Sequence, residues 1–183
     1  MLAQRQKRNI DDANRVPSAV LIPLYKQQGH YHILFIKRTE MVTEHKGQIS
    51  FPGGTCEKDD RTLLDTALRE CHEEIGLRTE DVEVLGELDD EITTTSNYIV
   101  SPFVAVIPWP YRFQMNECEV DEIIEIPVQA LLDESCIKPD TEILDGKVVD
   151  SYAYHYQGRV IWGATARIVN RFLDIYTRIM PDE

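Results

Sequence analysis

Arg69-Glu70-Cys71-His72-Glu73-Glu74-Ile75-Gly76-Leu77 decides how this chain is read. Three carboxylates fall at i, i+3 and i+4, and a glycine closes the run. On an α-helix Glu70, Glu73 and Glu74 share an arc of about 100°. Like charges at that spacing repel by about 0.2–0.5 kcal/mol. Acids in the last turn also oppose the helix dipole, by about 0.3–1 kcal/mol each at a surface. A hard divalent cation held by oxygen ligands is the simplest group to offset that cost. Glutamate is also a good helix former, and an acidic stripe can be a solvated face, so the helix alone leaves both readings open.

The residues upstream tilt the balance. Pro52-Gly53-Gly54 breaks regular structure and lets the backbone turn sharply or approach a ligand. A helix is predicted over about 60–75, with Asp59 or Asp60 as its cap. Leu64, Ala67, Leu68, Cys71 and Ile75 recur at helical period and form its buried stripe. The acids lie beside that stripe, so burial aims them back towards the glycine turn. Gly76 suits the position that stops the helix.

This unit resembles the Nudix box, Gly-x5-Glu-x7-Arg-Glu-U-x-Glu-Glu-x-Gly-U, with U apolar. The second half fits from Arg69 to Leu77, with Cys71 in an aliphatic place. The first half departs: counting from Gly54, the acid is Asp60, and eight residues rather than seven separate it from Arg69. Within the family, the coenzyme A pyrophosphatase branch is similar in having such a stretched box. It is similar also in an upstream signature, here Arg38, His45, Gly47, Gln48, Phe51, Pro52, Gly53 and Gly54. Glu119-Val120-Asp121-Glu122 before Ile126-Pro127-Val128, and Ile161-Trp162-Gly163-Ala164-Thr165-Ala166, also look like that branch. The likeness spans about residues 17–173, with the box at 54–77.

A metal-assisted site follows from the acids. Glu70 and Glu74, one turn apart, are the first ligands, and Glu73 is the third, direct or through water. The all-oxygen set favours Mg²⁺, with Mn²⁺ as a substitute. By the resemblance, Arg69 orients a glutamate carboxylate; a surface ion pair is the plainer alternative. The resemblance also implies a general base from the box, such as Glu73, or from a remote loop, where Glu119 comes first. Residues 116–122 read equally as a hydrophilic connection. Lys37, Arg38, His45 and Lys46 cluster before the glycine turn, either as a solvated loop or to receive phosphate. Arg38, His45, Lys46, Gly53 and Gly54 are therefore the candidate substrate contacts. Tyr98, Phe103, Trp109 and Tyr111 could stack on a base but suit packing as well.

The length of 183 residues and the 43% apolar content are expected for one packed domain, 1–183. A net charge of −13 argues against a nucleic-acid surface. Divalent ions reconcile that charge with an anionic substrate. No apolar run approaches a membrane span, no signal peptide is visible, and Cys56, Cys71, Cys118 and Cys136 lack zinc spacing. The expectation is a cytoplasmic protein, and the resemblance admits a homodimer. The chain should open with a helical extension over 1–15. Strands are predicted at 19–25, 31–37, 82–88, 98–107, 122–126, 149–156 and 159–162, with a helical turn from Pro127 and a last helix over 163–179. This is an α/β pattern of the α+β type, without the alternation of a doubly wound sheet. The resemblance implies a Nudix-like mixed sheet sandwiched between helices.

The activity implied is hydrolysis of a diphosphate bond in a nucleoside diphosphate-X compound. Coenzyme A or an acyl derivative leads, giving 3′,5′-ADP and 4′-phosphopantetheine or its acylated form. ADP-ribose or a dinucleotide polyphosphate is the alternative substrate. A non-catalytic nucleotide-binding module and a prenyl diphosphate isomerase are the alternatives of other classes; no placed cysteine supports the last.

Overall fold

A computed structural model describes residues 6–41, 45–144 and 146–180. The elements run β1 (Val16–Gln27), β2 (His30–Arg38), β3 (Ile49–Ser50), β4 (Gly53–Thr55), α1 (Leu63–Ile75), β5 (Glu83–Glu87), β6 (Glu91–Ile92), β7 (Tyr98–Val106), β8 (Val120–Pro127), α2 (Val128–Leu132), β9 (Ile137–Leu144), β10 (Lys147–Tyr156), β11 (Arg159–Ile161) and α3 (Gly163–Ile179).

The first eight strands form one sheet built around β1, which pairs antiparallel with β2 and β4 and parallel with β7. β8 extends the sheet beyond β2, and β5 and β6 pair with β7. Strand alternation sorts the core into two layers. Ala19, Leu21, Tyr25, Leu34 and Ile36 point to one face and meet Ala67, Cys71 and Ile75 of α1. Ile22, Leu24, Ile33 and Phe35 point to the other and meet Val169, Phe172 and Leu173 of α3. Burial on both faces explains why β1 reads as a nearly unbroken apolar run. This is the mixed sheet between helices that the sequence implied.

A second sheet, ordered β11-β10-β9, leans on α3. The sequence reading had no β9. Its edge position explains the oversight: Pro139 interrupts the strand signal, yet an edge strand tolerates a proline opposite Tyr152. No helix among the described residues is long and apolar enough to cross a membrane.

The expected N-terminal helix is a correction. Residues 1–5 lie outside the described residues, and residues 6–12 adopt no helix. Their polar groups find distant partners instead. Lys7 Nζ lies 2.8 Å from Asp90 and 3.1 Å from Glu87, the Arg8 amide donates to Asp89 and the Ile10 amide to Asp90. Tertiary bonds to the backbone amides replace the helical ladder there.

Candidate active site

α1 begins with a reciprocal cap. Thr62 Oγ1 accepts from the Asp65 amide at 3.1 Å, and Asp65 Oδ2 accepts from the Thr62 amide at 2.9 Å. Thr62 therefore caps the helix, not Asp59 or Asp60 as expected. Gly76 ends it in the left-handed conformation, as expected. Freed from capping, Asp60 grips Arg69 with both oxygens, at 3.1 Å to Nε and 3.0 Å to Nη2. The Arg69 guanidinium holds that carboxyl well below the usual carboxylate range. Asp60 also accepts from Thr66 at 2.9 Å.

Arg69 is the hub of one side of the site. Its Nη2 also donates to the Thr55 carbonyl at 2.9 Å, and its Nη1 to Glu70 Oε1 and Glu73 Oε2, both at 3.0 Å. Arg69 thus bonds two of the three glutamates while Asp60 fixes its guanidinium.

The three glutamates divide. Glu74 turns inward and its side chain is 1% exposed. Arg38 Nη1 donates to its Oε1 at 2.7 Å, and the Gly53 amide to its Oε2 at 2.9 Å. Burial pushes this carboxyl up to about 7, against the pull of Arg38 and the Gly53 amide. Glu70, with 14% of its side chain exposed, faces the cavity. Burial raises its pKa first, Arg69 opposes that, and the charges of Glu73 and Glu119 add to the rise. Glu73 lies at the rim, 52% exposed and bonded to Arg69.

The glycine turn fits both inner acids. Gly53 has φ +152, and a Cβ there would sit 2.3 Å from the Ala19 carbonyl oxygen, so only glycine lets β4 close on β1. A Cβ on Gly54 would sit 2.4 Å from Glu70 Oε1.

The cavity in front of this turn has a volume of about 710 Å³. Arg38, His45, Gln48, Gly53, Gly54, Glu70 and Glu119 are on its wall, and so are Thr93, Thr94, Thr95, Tyr98, Trp162 and Thr165. The rings of His45 and Tyr98 lie 6.4 Å apart. His45 Nδ1 lies 2.9 Å from Gln48 Oε1. Asn116 Nδ2 donates to Glu119 Oε1 at 3.0 Å, and Glu119 Oε2 lies 4.0 Å from Arg38 Nη2. Of the candidates, the structure brings Arg38, His45, Gly53, Gly54, Glu70 and Glu119 together on the cavity wall. Lys46 is exposed and is not on that wall, and Lys37 pairs with Asp121 at 2.6 Å. Glu122, in the second acidic cluster, is bonded to Arg159. Trp109 stacks on Tyr25 at 4.0 Å, Tyr111 leans on Phe113, and Phe103 is in the core. Only Tyr98 of the four aromatics reaches the cavity. Trp162 and the threonines of 93–95 are cavity residues that the sequence reading assigned no role.

Among the described residues no three His, Cys, Asp or Glu side chains converge as a metal cluster. The donor chemistry nevertheless fits a hard divalent ion. Glu70 offers an oxygen donor on the cavity wall whose ionised form is pressed by two further acids. A cation would relieve that repulsion, while Glu74 is already matched by Arg38.

The comparisons agree with this geometry. The NUDIX domain model matches residues 15–147. A relative named as an uncharacterized Nudix hydrolase NudL, from Photorhabdus laumondii, is 32% identical over 164 residues, covering 90% of this chain and 86% of the relative. One of the same name from Pectobacterium atrosepticum is 35% identical over 158 residues, covering 84% and 79%. Among solved structures, a Nudix hydrolase from M. smegmatis, RenU, superposes with TM-score 0.60 at 16% identity, covering 90% of this chain and 88% of that one. The NUDIX domain of Shewanella oneidensis NrtR, crystallised with ADP ribose, gives 0.52 at 16% identity, covering 64% and 76%. Such likenesses bear on the fold alone, whereas the family model and the sequence relatives identify the lineage: the chain belongs to the Nudix family and is a Nudix hydrolase.

Proposed function

We propose that the protein hydrolyses the diphosphate bond of a nucleoside diphosphate-X compound, with coenzyme A or an acyl-coenzyme A as the leading substrate and Mg²⁺, replaceable by Mn²⁺, as cofactor. The observation that supports this most is a cavity whose wall carries both charged groups from the glycine turn and hydroxyl and aromatic groups from residues 93–98 and 162–165. Of the upstream residues that resemble the coenzyme A pyrophosphatase branch, Arg38, His45, Gln48, Phe51, Gly53 and Gly54 are on that wall.

Glu70 is the first ligand in this reading, joined by Glu73 from the rim. When bound, a divalent ion neutralises diphosphate oxygens and makes water more acidic. Arg69, pinned by Asp60, orients the carboxylates of Glu70 and Glu73. Arg38 is placed between Glu74 and Glu119 and can donate to a phosphoryl oxygen without leaving Glu74. Glu119 is preferred to Glu73 as general base because it is on the cavity wall. With Oε1 held by Asn116, Glu119 Oε2 takes the proton of the attacking water. The water oxygen bonds to phosphorus, the bridging P–O bond breaks, and its electron pair leaves with the departing phosphate. Glu74 anchors the Gly53 amide rather than touching substrate. The same reading places the enzyme in the cytoplasm, where soluble nucleotides occur.

ADP-ribose is the second reading, favoured by the NrtR domain that was crystallised with that compound. Incubation with coenzyme A, ADP-ribose and a dinucleotide polyphosphate in ¹⁸O-water, followed by mass spectrometry, tests both. The label should appear on one phosphate product of coenzyme A. Turnover of ADP-ribose alone would select the second reading, and no turnover of any would refute the hydrolysis.

A further inference from the structure

Arg167 lies outside the cavity, on α3, one helical turn beyond Gly163 and Ala164 of the cavity wall. All three of its guanidinium nitrogens are engaged. Nε donates to Glu91 Oε1 of β6 at 3.0 Å, and Nη2 to the Ile92 carbonyl at 2.7 Å. Nη1 donates to both oxygens of Glu142, on β9, at 2.5 Å each. Glu142 also accepts from Ser151 of β10 and from Thr94 Oγ1 at 2.8 Å. Arg171, one turn further on, lies 3.4 Å from Glu91 Oε2. Two guanidiniums thus face two acids, which leaves the cluster neutral.

Such partly buried ion clusters add little net stability. This one joins β6 and β9 to two parts of the cavity wall, the segment 93–95 and the start of α3. Thr94 belongs to the segment 93–95, and Trp162 to Thr165 begin α3. Thr93 orders the same segment locally, donating to the Ser96 carbonyl at 2.6 Å and accepting from the Tyr98 amide at 3.0 Å. Glu142 then ties that segment to Arg167. None of these bonds involves Glu70, Arg38 or Glu119.

We propose that Arg167 is a positioning residue that sets the shape of the cavity wall formed by residues 93–95 and 162–165, that this wall receives the organic group attached to the diphosphate, and that Arg167 so governs substrate selection. This rests on the diphosphate-hydrolase reading above. The planar fork is what the role requires. A lysine keeps the charge but cannot reach Glu91, Glu142 and the Ile92 carbonyl together.

Steady-state kinetics of Arg167→Lys, on whichever of coenzyme A and ADP-ribose the native enzyme turns over, test the proposal. KM should rise about ten-fold, equivalent to about 1.4 kcal/mol, while kcat stays within about two-fold. Glu142→Gln, at a residue that is not on the cavity wall, weakens the tie between Arg167 and Thr94 and should raise KM in the same direction by less, and it decides the matter if Arg167→Lys fails to fold. A binding readout separates this proposal from the hydrolase reading. The fluorescence of Trp162, in a Trp109→Phe background, is titrated with both compounds in Ca²⁺, and the Kd should rise with KM. Folded variants with unchanged KM and Kd, or a loss confined to kcat, would overturn the proposal. Native protein that binds neither compound at millimolar concentration would also overturn it. Native protein that binds without turnover refutes the hydrolysis alone, and the change in Kd then judges Arg167.

Discussion

Replacing Glu74 with glutamine should stabilise the metal-free protein at alkaline pH while impairing the enzyme. Glu74 is buried, and burial raises its carboxyl from 4.5 to about 7 despite Arg38 and the Gly53 amide. Below pH 4.5 the folded and unfolded chains both hold the proton, and the group costs nothing. Between 4.5 and 7 the unfolded chain loses its proton first, so stability falls as pH rises. Above 7 both states are ionised and the penalty levels off at about 3 kcal/mol. Glutamine cannot titrate, and its amide oxygen can still accept from the Gly53 amide. A Glu74→Gln variant in EDTA should therefore gain on the native protein by about 2.5 kcal/mol between pH 5 and pH 8.5. For a chain of this size that is about 5–10 °C in Tm. Scanning calorimetry of both proteins at the two pH values measures the change in their gap. A gap that does not move with pH, or that moves in favour of the native protein, would refute the placement of Glu74 in a desolvated pocket. The same variant should lose orders of magnitude in kcat, because Arg38 and the glycine turn lose their charged anchor.

Magnesium should raise the melting temperature of the native enzyme through mass action, by about 2.7 kcal/mol at a hundred times its Kd. Glu70→Gln should remove most of that rise, and thermal shift at graded Mg²⁺ would contradict the ligand role if the variant responded like the native protein. Gly54→Ala should lower kcat by about 100-fold or more, because its methyl needs the space 2.4 Å from Glu70 Oε1. A folded, fully active Gly54→Ala protein would show that the position of Glu70 does not matter. Thr62→Ala should cost about 1 kcal/mol in urea unfolding through loss of the reciprocal cap, with kcat unchanged. A loss near zero would mean that Asp65 alone holds the helix start.

How much of this was legible in the sequence depended on how local the cause was. Helical period placed α1 and its buried Ala67, Cys71 and Ile75, because every partner of that pattern lies within one element. The same period put Glu70, Glu73 and Glu74 on one arc but could not divide them. Their division follows from Arg38 and Gly53, which reach Glu74 from other elements. Asp60 looked like a departure from the box because the loop is one residue longer. In three dimensions it reaches Arg69 with both oxygens, a contact that spacing alone does not reveal. The N-terminal segment fails as a helix for the opposite reason: its local propensity is outweighed by Asp89, Asp90 and Glu87, about eighty residues away. Glu142 and Arg167 escaped notice because nothing in either neighbourhood announces a partner.

The site is best understood as two anchored ion pairs flanking one restrained acid. Asp60 and Arg69 fix the outer side of α1, and Arg38 and Glu74 fix the inner side. Between them Glu70 accepts from Arg69 and faces the cavity. Gly53 and Gly54 are required for different reasons: the first closes β4 against β1 and supplies the amide to Glu74, and the second leaves room for the carboxylate of Glu70. A run of acids that would be unfavourable on an isolated helix is therefore tolerated because all three have cationic partners, Arg69 for Glu70 and Glu73 and Arg38 for Glu74. The repulsion that persists falls on Glu70, pressed by the charges of Glu73 and Glu119. That concentration draws a cation to one place, and it accounts for a strongly acidic protein that can still receive a diphosphate.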